Sequence, residues 1–265
     1  MKAPKWLVVY ACLVGAFLVL PTLVVVPLSF TEYTVLRWPP SGFTLDWYTE
    51  VLTDGNWRGA AVTSFQVAVL TAISATVLGG GIALAISRGG SRGRSFATLG
   101  VLAPMIVPTV IMAVGVYFVF VRWGLVGTIG GLVAAHTVLA LPFVVVSVMN
   151  ALSRIDRNLE LAGYSLGAGP FRTFRTITLP QMAPGLLTGA MFAFITSWDE
   201  AVVALFLSTP RVRTLPVLIF SQISSGVEPS VAAAASLLLL VTVVLLLLAW
   251  ITGRAARQRR NRHAN

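Results

Sequence analysis

The chain has 265 residues, of which 57% are apolar (Ala, Val, Ile, Leu, Met, Phe, Trp, Tyr and Cys) and 11% charged, with a formal net charge of +10. Soluble globular domains carry about a quarter charged residues, so this composition excludes one and describes a chain that lies mostly in a bilayer. Several runs reach the roughly 20 apolar residues that cross about 30 Å of hydrocarbon as a helix, and the period-two alternation of barrel strands is missing, so an all-α polytopic membrane protein is expected.

The first expected span covers 6–28, after Lys2 and Lys5. It exceeds the roughly 7–15 residues of a signal-peptide core, and Pro21 and Pro27 stand where cleavage would need small residues, so it is read as a retained helix. Cys12 lies alone within it, which rules out a disulfide inside the chain. The loop that completes segment 1–59 is acidic, with Glu32, Asp46, Glu50 and Asp54 against Arg37 and Arg58. A main domain then occupies 60–252. Its second span, 60–86, ends near Gly79, Gly80 and Gly81, which either permit close helix packing, the expected role, or loosen the helix near its end. A basic turn at 87–95 carries Arg88, Arg92 and Arg94, and a hairpin of spans at 99–121 and 127–149 is interrupted by Pro104, Pro108 and Pro142. After a polar loop at 150–185 comes the fifth span, 186–207, and then a polar connection at 208–230 that is expected to be partly helical or re-entrant. The sixth span is 231–251, and a basic tail at 253–265 carries Arg254, Arg257, Arg259, Arg260 and Arg262.

Six spans put both termini on one side. If that side is the cytoplasm, it holds 14 of the 19 Lys and Arg residues and the opposite side holds 5. Cytoplasmic loops are enriched in Lys and Arg, so the asymmetry fixes the orientation. It also accounts for the net charge without nucleic acid, and it places the Arg-rich tail at anionic lipid headgroups.

The loop at 150–185 lies between two long apolar runs and holds Arg154, Asp156, Arg157, Glu160, Arg172 and Arg175, a density of charge found nowhere inside those runs. Leu152, Ile155, Leu159, Ala162 and Leu166 recur at steps of three and four, the stripe of an amphipathic helix. Gly167 and Gly169 then allow a sharp turn, and Pro170 suits the first position of a second short helix. The expected product is a cytoplasmic helical elbow whose apolar stripe is a docking surface.

Catalytic chemistry finds no support. A phosphate-binding P-loop needs GxxxxGK before Ser or Thr, and the only lysines are Lys2 and Lys5. His136 and His263 do not form a zinc motif, and packing or a hydrogen bond to a neighbouring helix is the expected role of His136. Trp198, Asp199 and Glu200 are different. Each carboxylate placed at the centre of an apolar helix costs about 2.5–3.5 kcal/mol on insertion scales, so the pair must face water, a partner or a solute. Neighbouring residues on a helix point about 100° apart, which leaves two readings open: passage of a cation, or structural pairing of one carboxylate with an arginine or a helix end.

The stretch LELAGYSLGAGPFRTFRTITLPQMAPG closely resembles the cytoplasmic EAA loop of binding-protein-dependent ABC importer permeases, with Leu166, Gly167, Ala168, Leu179, Pro180 and Pro184 in matching positions. The EAA triplet itself is replaced by Leu161, Ala162 and Gly163, and the only acidic residue is Glu160, one place earlier. The segment SWDEAVVALFLSTPRVRTLPVLIFSQISSGVEPS resembles that of spermidine/putrescine permeases, in a cluster that also serves thiamine, iron(III), opines and aminoethylphosphonate. The resemblance implies a type I ABC importer permease fold of six transmembrane helices in the bacterial inner membrane, with both termini cytoplasmic. It implies a function in polyamine import by alternating access, or import of another cargo of that cluster; the rival from a different class is a stand-alone gradient-driven transporter. It further implies two ATPase subunits that bind ATP and Mg, a second related permease and an extracytoplasmic solute-binding protein, with no cofactor in this chain. Residues 159–169 would be the coupling helix, with Glu160, Leu161, Ala162, Gly163, Leu166, Gly167, Ala168 and Pro180 in the coupling loop. Trp198, Asp199 and Glu200 would lie on the translocation path.

Overall fold

The computed structural model describes residues 4–40, 42–89, 91–226 and 228–262, and among these there are helices and no strands. Lys2, His263 and the end of the basic tail lie outside the described residues. In chain order the helices are α1 (Lys5–Leu28), α2 (Asp46–Thr53), α3 (Gly55–Arg88), α4 (Ser91–Ile106), α5 (Thr109–Arg122), α6 (Ile129–Leu152), α7 (Arg157–Ser165) and α8 (Pro170–Thr173). A π-turn (Phe174–Thr178) leads into α9 (Leu179–Trp198), followed by α10 (Val202–Leu207), α11 (Leu215–Ser225) and α12 (Pro229–Arg262). Among the described residues, four helical stretches are long and apolar enough to cross a membrane, and counting each of two bent pairs as one span gives up to six.

The chain divides into two compact units, Met1–Ala60 with Leu218–Val241, and Ala61–Val217 with Thr242–Asn265. In the first unit the loop after α1 is ordered by its own polar groups. The Trp47 indole N–H donates to the Thr31 carbonyl at 2.7 Å, Ser29 Oγ lies 2.6 Å from the Tyr48 hydroxyl, and the Tyr48 ring leans on Phe30. The α2 residue Glu50 has a pKa above the usual carboxylate value, first because of its partial burial and then because of Glu228 and Asp54 nearby.

The second unit is built on α6 against α9. Small residues set the approach: a Cβ on Gly185 would stand 2.7 Å from the Ala151 Cβ and 2.9 Å from the Ser147 carbonyl oxygen, so only hydrogen fits. Gly79 meets Val144 and Gly80 meets Leu186 in the same way, which is the packing role expected for that glycine run, while Gly81 faces open space. Two cores result. Ala75, Ala83, Val144, Val145, Val148 and Met182 are among the residues of one, and Val67, Leu132, Val203 and Leu207 among those of the other. Without a hydrophobic drive between helices in lipid, such small-residue contacts let dispersion and close backbone approach hold a bundle together.

Three expected elements are corrected. The span expected at 99–121 is two helices, α4 and α5, at 101° to each other. Pro108 has no N–H to continue the ladder and disfavours helical geometry at Val107, so the first helix stops and a second starts at Thr109. The span expected at 186–207 begins much earlier, since helical structure runs through 29 residues from Pro170 to Trp198, and it breaks at 199–201 before α10. The coupling helix expected at 159–169 is helical only as Arg157–Ser165, and residues 166–169 form the turn that follows it. The polar connection holds a helix, α11, as expected.

Candidate functional site

The cytoplasmic loop is shaped by capping. The Asp156 carboxylate accepts the Asn158 N–H at 2.9 Å and starts α7, satisfying one of the donors that a helix N-terminus leaves bare. At the other end Gly167 adopts φ +81°, the left-handed conformation that costs a residue with a Cβ about 1–2 kcal/mol. The Gly167 N–H returns to the Tyr164 carbonyl and the Ala168 N–H to the Gly163 carbonyl, both at 3.0 Å, which is the Schellman closure of a helix. Gly167 and Ala168 thus have a physical reason to be adjacent. Gly169 caps α8, and Pro170 occupies its first turn.

The face of α7 is divided. Gly163 turns inward, where a Cβ would come within 3.1 Å of Ile177 and 3.4 Å of Thr173. Leu152 and Ile155, at the start of the expected stripe, pack against the first core, whereas Leu159, Leu161, Ala162 and Leu166 are exposed. Leu166 is 88% and Phe171 75% exposed, so α7, the turn after it and α8 carry several uncovered apolar side chains. Pro180, also exposed, follows the π-turn in which the Leu179 N–H reaches back to Phe174. Having no N–H of its own to give Thr176, it suits a place where the regular ladder is already widened.

Glu160 points the other way. Its Oε1 accepts from Arg88 Nη2 at 2.7 Å and from the Thr178 hydroxyl, and Arg88 also reaches Thr178 at 3.3 Å. The Glu160 side chain is only 15% exposed.

The acidic pair sits at the break after α9, and its two members separate. The Glu200 carboxylate accepts the N–H groups of Val203 and Ala204, each at 2.8 Å, and so caps α10. Its side chain is 8% exposed and lies 3.5 Å from His136 Nε2, outside hydrogen-bond alignment. His136 is fully buried on α6, its Nδ1 is 2.8 Å from Ser197 Oγ on α9, and Ser197 lies 3.4 Å from Thr71 on α3. The donor in the bond between His136 Nδ1 and Ser197 Oγ follows the imidazole tautomer, while the Ser197 hydroxyl is oriented to donate to Thr71. His136 therefore bonds a neighbouring helix, as expected. Asp199 is exposed, and one carboxylate oxygen accepts from the Thr242 hydroxyl at 3.1 Å. Trp198 is 6% exposed, with its ring stacked on Phe194 at 5.9 Å. Of the three expected path residues, only Asp199 presents its side chain at the surface; Trp198 is packed and Glu200 is committed to the helix end.

Arg88, Thr178, Ser197 and Thr71 were not singled out as site residues by the sequence. Arg88 and Glu160 are 72 positions apart, and no spacing rule joins them.

The family described as "Binding-protein-dependent transport system inner membrane component" matches residues 75–257. The putrescine transport system permease protein PotI of Escherichia coli is 33% identical over 265 residues, covering 96% of this chain and 93% of that protein. The spermidine/putrescine transport system permease protein PotC of Escherichia coli is 32% identical over 219 residues, covering 82% of each. Among solved structures, a bacterial ABC transporter involved in the import of the acidic polysaccharide alginate superposes with a TM-score of 0.67 at 15% identity, over 96% of this chain and 99% of that one. The MetNI methionine ABC transporter in an inward-facing conformation gives 0.62 at 21% identity, over 78% of this chain and 97% of that one. These two likenesses establish the type I permease fold. The chain belongs to the family of inner-membrane components of binding-protein-dependent transport systems, a multi-pass permease subunit and not itself an enzyme.

Proposed function

We propose that this permease moves a polyamine, putrescine or spermidine, inward by alternating access in an ATP-driven importer. The observation that carries the reading is the placement of Asp199: an exposed carboxylate at a helix break, held by the Thr242 hydroxyl and flanked by two apolar helices. A carboxylate set between two apolar helices is costly unless a cation or water meets it, and a linear polycation supplies ammonium groups that do. The names of the two polyamine permeases to which the chain is 33% and 32% identical support the same cargo class.

In this scheme Glu200 and His136 hold the break open, and Asp199 is the group that contacts cargo. The exposed apolar face of Leu159, Leu161, Leu166 and Phe171 seats in a cleft of an ATPase subunit. Two such subunits bind ATP and Mg, a related permease completes the pathway, and an extracytoplasmic binding protein delivers the solute. Helical structure from Pro170 to Trp198 spans 29 residues, about 43 Å at 1.5 Å per residue, so one lever carries the docking turn at its foot and Asp199 at its head. ATP drives transport only by favouring one of the two access states through that contact.

Asp199→Asn tests the cargo contact in proteoliposomes that hold the whole transporter. Uptake of labelled putrescine is expected to fall by about tenfold or more, the loss of roughly one charge-assisted contact. Assembly and basal ATP hydrolysis are expected to persist. Unchanged putrescine uptake in that variant overturns the role of Asp199, and a wild-type transporter that carries thiamine or ferric ion but no polyamine overturns the cargo.

A further inference from the structure

We infer that Arg88, Glu160 and Thr178 form a clamp that ties the coupling helix to α3 and to the foot of α9 together, and that Glu160 is a positioning residue facing its own chain, not the side chain shown to the ATPase. The inference rests on the reading of α7 as the coupling helix. It starts from orientation. Glu160 is 15% exposed in its side chain, while its neighbour Leu161 is 59% exposed and Leu166 88%. A group meant for recognition by a partner faces outward, and on α7 those groups are apolar.

Connectivity gives the clamp its role. Along the chain α7 is joined to α6 through 153–156 and to α8 through 166–169, and neither connection reaches α3. Glu160 Oε1 supplies that link. One oxygen receives the guanidinium at the end of α3 and the hydroxyl of the fully buried Thr178, which closes the π-turn below α9. A single acceptor shared by donors from two elements fixes three elements in one geometry. Farther along, α3 and α9 meet again through Thr71 and Ser197, so both helices are joined at the cytoplasmic edge and inside the bundle. A push on the exposed face of α7 is then delivered to both helices in step. The Arg88 side chain is 38% exposed, so water screens the pair and it adds little to stability; loss of the clamp is expected to appear in coupling and not in folding.

The test uses the complete transporter in proteoliposomes with its binding protein as purified from cells and Mg-ATP, comparing Arg88→Ala, Glu160→Ala, the double variant and Arg88→Lys. Three readouts are taken: retention of the ATPase subunits, basal ATP hydrolysis and hydrolysis stimulated by the binding protein. Each alanine variant is expected to retain its ATPase subunits and basal rate and to lose about tenfold in stimulation, with the double variant no worse than either single one, as for residues that share one interaction. Arg88→Lys, which keeps the charge, recovers part of the loss. Loss of ATPase subunits in Glu160→Ala alone, additive losses in the double variant, or full stimulation in every variant each overturn the clamp. Stimulation is read without added polyamine, so a clamp phenotype in a transporter that fails to take up putrescine refutes the cargo and leaves the clamp standing.

Discussion

Replacing Gly167 in a graded series isolates the turn that ends the coupling helix. Its φ of +81° lies where an L side chain is strained, and a Cβ added there meets nothing within 4 Å, so the whole effect is backbone strain without a clash. Left-handed geometry costs a non-glycine residue about 1–2 kcal/mol, a factor of roughly 5–30 in the population of the closed turn. Asn tolerates this region better than Ala, and a β-branched residue tolerates it least. The concentration of ATPase subunit giving half-maximal stimulated hydrolysis is therefore expected to rise in the order Gly, Asn, Ala, Val, with Ala about 5–30-fold above Gly. Gly167→Asp adds a negative charge beside the exposed Leu166 and is expected to abolish uptake while the chain still inserts. Ala behaving as Gly, or Asn as poorly as Val, in that titration refutes the claim that the turn geometry is what the ATPase reads.

Glu200→Ala removes the acceptor for two N–H groups at the start of α10, a loss of about 1–3 kcal/mol per unsatisfied donor, and is expected to lower the thermal midpoint of the purified complex. Glu200→Gln, which keeps one acceptor oxygen, is expected to lose less, and equal midpoints for the two refute the capping role. His136→Leu leaves Ser197 without its ring partner and is expected to destabilise more than His136→Gln in the same melt. Gly185→Val forces a Cβ into the 2.7 Å gap against Ala151, so about 1–3 kcal/mol of overpacking is expected, seen as reduced yield of folded chain; a normal yield refutes the close α6 and α9 contact.

The long apolar runs and the lopsided Lys and Arg distribution made the membrane class and the cytoplasmic side of the elbow readable, because both follow from transfer free energies that depend on composition. The break at Val107 was not readable. Pro104 lies within α4 while Pro108 ends it, and which proline a helix tolerates depends on neighbours that satisfy the freed carbonyls. The 100° step between Asp199 and Glu200 left open that one of them meets a helix end, as Glu200 does, but the apolar flanks suggested a single span and hid the break at 199–201. The cap was nonetheless visible in hindsight, as a carboxylate three residues before Val203 at the start of an apolar turn. The inward turn of Glu160 depends on Arg88, 72 residues away, and such a contact leaves no trace in the local pattern of one sequence.

The most direct measurement is accumulation of labelled putrescine in proteoliposomes that hold this permease with its ATPase, partner permease and binding protein. The binding protein is supplied on the extracytoplasmic side and Mg-ATP on the side of the coupling loop. Accumulation that requires both, and that is lost in Gly167→Asp, is the predicted result. Accumulation driven by an ion gradient without ATP, or unchanged in Gly167→Asp, contradicts it.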